Sequence, residues 1–220
     1  MTFEESYQKY LILAEANGTT DKLSTNKARY AVKYNLQQNK IIEWLIESNG
    51  TDENRYIQSI KVPEKTLTKQ EEKKEYTNFL LPEDYFDHIG LTIWASKDNC
   101  KEQRIKSQEV KASNTDNMYL DEYSKPSFKY RETFYTIKND AVQAYKKDFT
   151  IDKVNMTYYR KPKQITLVNP DNPESQFTQD QLEFDDKLIN RIILSTVALH
   201  ELSSDDPKFQ AFKSETISKF

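Results

Sequence analysis

Two stretches of the chain bring together side chains capable of chemistry. In the first, residues 155 to 167 read NMTYYRKPKQITL, where Tyr158 and Tyr159 stand against Arg160, Lys161 and Lys163 around Pro162. Rings beside cations suit single-stranded nucleic acid, because bases stack on the rings while the cations neutralise phosphates. From Gln143 to Lys163 the bases are Lys146, Lys147, Lys153, Arg160, Lys161 and Lys163, against Asp148 and Asp152. The second stretch is Asp185-Asp186, beside Glu183, a carboxylate pair of the kind used in acid–base or two-metal chemistry. Both have a plainer reading, which is the favoured one. Tyr158 or Tyr159 alternates into a sheet, and Arg160 to Lys163 leaves it through a proline-fixed turn. Residues 169 to 186 hold six acids and no base, and they lead into a helix start, where the dipole favours negative charge.

No catalytic, cofactor or metal site follows from the remaining residues. His88 and His200 are the only histidines, and neither has acids or Cys100 at ligand spacing, so both are read as structural. Cys100, the single cysteine, excludes an internal disulfide and fits a reducing compartment. It lies in a polar stretch without a nucleophile's partner. Glycines occur only at Gly18, Gly50 and Gly90. Phosphate-cradling loops need clustered glycines, so nucleotide enzymes of the P-loop and dinucleotide-fingerprint classes are excluded.

Composition sets the frame for these motifs. The 220 residues suffice for a sizeable core, and 14 Tyr and 11 Phe supply aromatic area for core and interfaces alike. Net charge is −3, and only 6 of 32 bases are Arg, which argues against an electrostatic or base-reading DNA binder. The acidic N-terminal run with its short apolar stretch is neither a signal peptide nor a membrane span. The three Asn-X-Thr sequons, at Asn17, Asn49 and Asn155, are accordingly read as accidental.

The elements that must hold these residues come in three blocks. Residues 2–17 read as a helix with a Thr2/Glu5 capping box, ended by Asn17-Gly18. A second helix spans about Ser24 to Ser48, with Tyr30, Tyr34, Ile41 and Leu45 on one stripe and Asn49-Gly50 as its stop. Together they predict an antiparallel helical hairpin over 2–48. A β-rich middle with charged inserts covers 55–168. Ile57, Ile60 and Val62 suggest a short strand closed by Pro63. Residues 64–76 read as a solvated helix or mobile loop, and 97–127 as loop or insertion. A turn at Pro82 to Asp84 precedes a strand Ile89–Ala95. Further strands are read at 128–136, 141–145 and 149–159, the last with Val154, Met156 and Tyr158 on one face. In the third block, 178–220, a Thr178/Gln181 capping box opens an apolar helix to about Ser203. Asp206-Pro207 begins another, bearing Phe209, Phe212 and Phe220. Helices, strands, then helices predict one α+β domain with a mainly antiparallel centre.

The order of motifs resembles the small ring or adaptor proteins of the neck in tailed bacteriophages, most closely those of crAss-like short-tailed phages of gut Bacteroidetes. The matching residues are the helix from Asn26-Lys27-Ala28 to Glu43-Trp44, and then Phe79-Leu80-Leu81-Pro82-Glu83-Asp84-Tyr85-Phe86. Lys125-Pro126 before a strand follows, then the strand end Tyr158-Tyr159-Arg160-Lys161-Pro162 and the closing helix Asp186 to Ala198. The charged insert 64–76 and the extension 204–220 match less clearly. The resemblance implies a non-enzymatic head-to-tail connector: a ring between portal and tail, with the portal's twelvefold symmetry, assembled in the bacterial cytoplasm and carried in the virion. Its partners would be itself, the portal and other neck or tail proteins, with genomic DNA passing through unread. Heterologous side-to-side contacts make such rings when the rotation closes. Within that reading, Tyr158, Tyr159, Arg160, Lys161, Lys163, Asp185 and Asp186 are the candidate interface residues, with the basic segment 143–163 of one subunit meeting the acidic segment 169–186 of the next. Reversing Lys161 and Lys163 to Glu is then expected to weaken assembly more at low salt than at high salt, and an unchanged ring would sink the pairing. The alternative is a single-stranded nucleic-acid module using Tyr158, Tyr159 and the neighbouring bases.

Overall fold

A computed structural model describes residues 1–16, 26–48, 54–98, 100–168, 176–178 and 180–201. Helices lie at both ends of the described chain, and a curled mixed sheet of eight strands comes between them in sequence, an α+β fold. Chain contacts divide it into two compact units, Met1–Ser59 with Pro162–Phe220, and Ile60–Lys161.

The helical unit starts with the predicted capping box. The Thr2 amide donates to Glu5 Oε2 at 2.8 Å and the Glu5 amide to Thr2 Oγ1 at 3.1 Å, satisfying two otherwise orphaned donors of α1 (Phe3–Ala16). Helix α2 (Lys27–Glu47) is capped by Asn26, whose side chain accepts from the Arg29 amide at 2.9 Å. Both helices pack on the C-terminal helix of the described chain, Asp186–Glu201. Tyr30 is the hub between α1 and α2. Its ring lies 4.8 to 5.7 Å from those of Phe3, Tyr7 and Tyr10, and its hydroxyl donates to Ser6 Oγ at 3.1 Å. Such aromatic pairs contribute about 0.5–1.5 kcal/mol each beyond area burial.

The sheet unit contains β1 (Lys61–Thr66), β2 (Thr68–Glu72), β3 (Tyr76–Leu80), β4 (Tyr85–Lys97), β5 (Cys100–Glu109), a short helix α3 (Thr115–Leu120), β6 (Glu132–Lys138), β7 (Ala141–Tyr145) and β8 (Thr150–Arg160). The strand order is β1-β8-β4-β5-β6-β7-β3-β2. All ladders are antiparallel except β5–β6, which is parallel and needs the long crossover that contains α3. The two outermost strands, β1 and β2, are separated in the chain by Leu67 alone. The sheet therefore curls until its edges meet at one bend, where the Leu67 amide donates to the Val154 carbonyl at 2.9 Å. Inside the curl the apolar residues form one core: Leu67, Phe79, Ile93, Ile105, Val142, Ile151, Val154 and Met156 are among those buried. Outside it, α3 presents Met118 and Tyr119 to a smaller cluster of Val110, Phe134 and Tyr145. The helix at Asp186–Glu201 is α4.

Five readings of the sequence change here. Residues 54–60 are a 3-10 helix rather than a strand, and β1 begins at Lys61 and runs through Pro63. Pro63 is tolerated because the ladder with β8 slips between Val62 and Lys65, so its missing N–H breaks no regular bond. The charged stretch 64–76 is mostly strand rather than helix or loop, the end of β1 and all of β2, with a short bend at 73–75; β1 and β2 are edges, whose charged side chains discourage pairing with another chain. The polar stretch 97–127 holds β5 and α3; polar Gln103 and Ser107 flank Ile105 on the inward side of β5, which hides its period. Finally, Thr178 and Gln181 form no capping box. The Thr178 amide donates to the Thr166 carbonyl and Gln181 bridges Thr2, so both belong to small pieces of extended pairing. The expected strand 128–136 starts only at Glu132, after a turn that places Arg131 at φ 56°. The stops at Asn17-Gly18 and Asn49-Gly50, the start at Ser24, the helix from Asp206 and residues 169–175 of the acidic run 169–186 lie outside the described residues.

Candidate interaction site

β8 holds Tyr158 on the inward face of the curl, with Val154 and Met156, and all three are fully buried. The Tyr158 hydroxyl donates to Asp84 Oδ1 at 2.8 Å. Lys65 Nζ lies 3.4 Å from the Tyr158 hydroxyl oxygen and 3.9 Å from Asp84 Oδ1. Burial first, then the bond to Asp84, pushes the phenol far above its usual range, so it stays a neutral donor. Tyr159, on the opposite face by alternation, is 7% exposed, and burial and then Asp87 raise its phenol. Neither ring is presented for base stacking; stacking on Tyr158 requires the sheet to open.

The exit that follows is tied to its own unit. Arg160 pairs in register with Tyr85, and its Nη1 donates to the Lys161 carbonyl at 3.2 Å. The Lys161 amide donates to the Asp84 carbonyl at 2.7 Å and its Nζ to the Glu83 carbonyl at 3.3 Å. Lys161 thus closes the Pro82–Asp84 turn that the sequence marks. Pro162 begins the other unit. There the Lys163 amide donates to Glu183 Oε2 at 3.0 Å, leaving the side chain exposed.

The carboxylate pair splits by role. Asp185 is the N-cap of α4: its Oδ1 accepts from the Leu188 amide at 2.8 Å and its carbonyl from the Ile189 amide at 3.0 Å. Asp186 receives the α-amino group of Met1 at 3.0 Å. Among the described residues no group of three or more His, Cys, Asp and Glu is arranged to hold a metal ion.

The basic run from Gln143 to Lys163 is not one surface. Lys146 is buried and ion-pairs with Glu72, and Asp148 pairs with Lys97. Of the candidate residues, Tyr158 to Lys161 belong to the sheet unit, and Lys163, Asp185 and Asp186 to the helical one.

Sequence reasoning missed the exposed aromatics. On the β5–β6 crossover, Leu120 is 79% exposed, Tyr130 70% and Tyr123 94%. Tyr123 and Ser124 wall a shallow cleft floored by Lys106, Gln108, Glu132 and Thr133. Lys129 Nζ lies 5.6 Å from the Tyr130 ring centre. On α2, Val32 and Leu36 are exposed one turn apart, and Trp44 is 37% exposed nearer the helix end. The available signal was apolar residues standing in polar surroundings, which is weak in one sequence. Among the described residues no helix is long and apolar enough to cross a membrane. No protein-family model matches the chain, and comparison with curated proteins finds no match either.

Proposed function

We propose that the chain is a non-enzymatic structural protein of the virion, forming a ring in the neck of a tailed phage between portal and tail and letting genomic DNA through. The observation that supports this is that large apolar side chains stand exposed on both units, Leu120, Tyr123 and Tyr130 on the sheet unit, and Val32, Leu36 and Trp44 on α2. Exposed apolar clusters mark partner surfaces, with tyrosine and tryptophan as frequent anchors. Two different surfaces suit a head-to-tail contact, in which each copy offers one face to the neighbour before it and another to the neighbour after it.

The test is assembly. The chain is mixed with the portal protein and followed by light scattering and negative-stain imaging. A closed ring on the portal is expected. A double Tyr123→Ala, Tyr130→Ala variant is expected to fold normally yet lose the ring. A chain that stays monomeric and does not bind the portal would sink the reading. A steep salt-dependent affinity for single-stranded oligonucleotides would point to the nucleic-acid module instead.

A further inference from the structure

At one end of the curl the ladder between β4 and β5 stops early. The two strands pair only between Ile93↔Ile105 and Lys97↔Cys100. Beyond that, β5 pairs with β6, from Lys106↔Glu132 to Glu109↔Tyr135. The first half of β4, from Tyr85 to Leu91, is laddered to β8 on its other side. Two side-chain ties span the resulting gap. Ser107 Oγ donates to the Leu91 carbonyl at 2.9 Å, and His88 Nε2 lies 2.9 Å from the Glu109 carboxylate. The same imidazole meets Tyr135 of β6 edge-on, with ring centres 6.4 Å apart. Its Nδ1 lies 3.8 Å from Asp87 Oδ1.

We propose that His88 is a proton-operated latch tying β4 to β5 and β6 across this open corner of the sheet. Protonated, the imidazolium has two N–H donors and one positive charge for two carboxylates, Asp87 on its own strand and Glu109 on β5. Neutral, it has one N–H and no charge: the charge contact with Asp87, too long at 3.8 Å for a hydrogen bond, is lost, and Glu109 keeps at most a neutral donor. Among the described residues, the titratable groups facing this corner include the phenols of Tyr85 on β4, Tyr135 on β6, and Tyr158 and Tyr159 on β8, Tyr158 standing in register with His88. Burial pushes Tyr85 and Tyr135 up to about 12, so they remain neutral where histidine titrates. Asp87, together with Glu109, raises the His88 pKa above its ordinary value, against the partial burial that lowers it. A folded value above the unfolded one makes the tie fully present below the unfolded value, about 6.5, and lost as pH rises through the folded value. The corner is tight on the acid side and loosens on the alkaline side.

With only two histidines in the chain, a His88→Gln variant assigns the imidazole signals in a proton NMR titration of the full chain. The companion measurement is amide exchange, corrected for intrinsic rate, in 85–91 and 106–109 against 154–158 of β8. The expected result is a His88 midpoint above that of a free histidine, with protection at the corner falling several-fold through that midpoint while β8 holds. Glu109→Gln is expected to lower the midpoint and shrink the fall, and His88→Gln to abolish it. A midpoint at or below the free value, or an undiminished fall in His88→Gln, overturns the latch. Should His88→Gln not fold, Glu109→Gln decides, and an unmoved midpoint there overturns it equally.

Discussion

The end of β8 and the crossover between β5 and β6 both set tyrosines beside bases, and they spend them in opposite directions. At the end of β8, Tyr158 is wholly enclosed, its hydroxyl given to Asp84 and its neighbour Lys161 bonded to the Pro82–Asp84 turn. On the crossover, Tyr123 and Tyr130 stand in solvent, although the residues around them are fixed by turns such as Ser124 Oγ donating to Asp121. The difference is one of scaffold. A strand in the middle of a curled sheet must bury one face, whatever its residue types, whereas a parallel crossover only has to bridge two strands and can expose what it carries.

Substitutions can break or sharpen this contrast. The largest effect is expected at Tyr158→Ala, where a buried ring leaves a cavity and strands Asp84, costing about 3–5 kcal/mol in urea unfolding. Should it be as mild as Tyr123→Ala, the contrast fails. Tyr158→Phe keeps the ring and removes one bond to a half-exposed carboxylate, so a loss of about 1 kcal/mol is expected from the same measurement. Asp185→Ala removes the cap of α4, also about 1 kcal/mol, visible as a lower thermal midpoint. Asp186→Ala breaks an exposed pair with the Met1 amino group, and its smaller effect should vanish in high salt. Tyr123→Ala is expected to change unfolding by less than about 0.5 kcal/mol, its consequence appearing in assembly instead.

Much of the helical unit was legible because its signals are local. Thr2 and Glu5 cap each other three residues apart, and Tyr30, Tyr34, Ile41 and Leu45 repeat at helical spacing and are buried. β7 and β8 were legible for the same reason: alternation along a buried strand shows in its own residues. Legibility failed where the cause is remote. Nothing near Thr68 or Glu71 says that β2 will pair with β3, and an edge strand exposed on both faces has no period to read. β5 conceals its inward side behind Gln103 and Ser107. The Thr178/Gln181 pattern had the right spacing for a cap, but partners at Thr166 and Thr2 claimed those residues first. At the candidate site, YYRKPK stood out for its composition, while Tyr123 lay in a stretch without pattern and Tyr130 in one read as an alternating strand that begins only at Glu132.

The pairing of Lys61 with Tyr159 has a consequence for how the chain is partitioned. The sheet unit is entered through β1 and left through β8, which are adjacent strands, so its two ends are within one ladder spacing, about 5 Å, of each other. The sheet thus has the architecture of a cassette spliced into a helical host, with a junction that a few residues could span. Excised as 60–161, it is expected to fold unaided. Rejoining its ends with a short linker and opening the chain at the exposed turn Asn139-Asp140 gives a circular permutant that should keep the same eight strands, a result amide exchange on β8 would report.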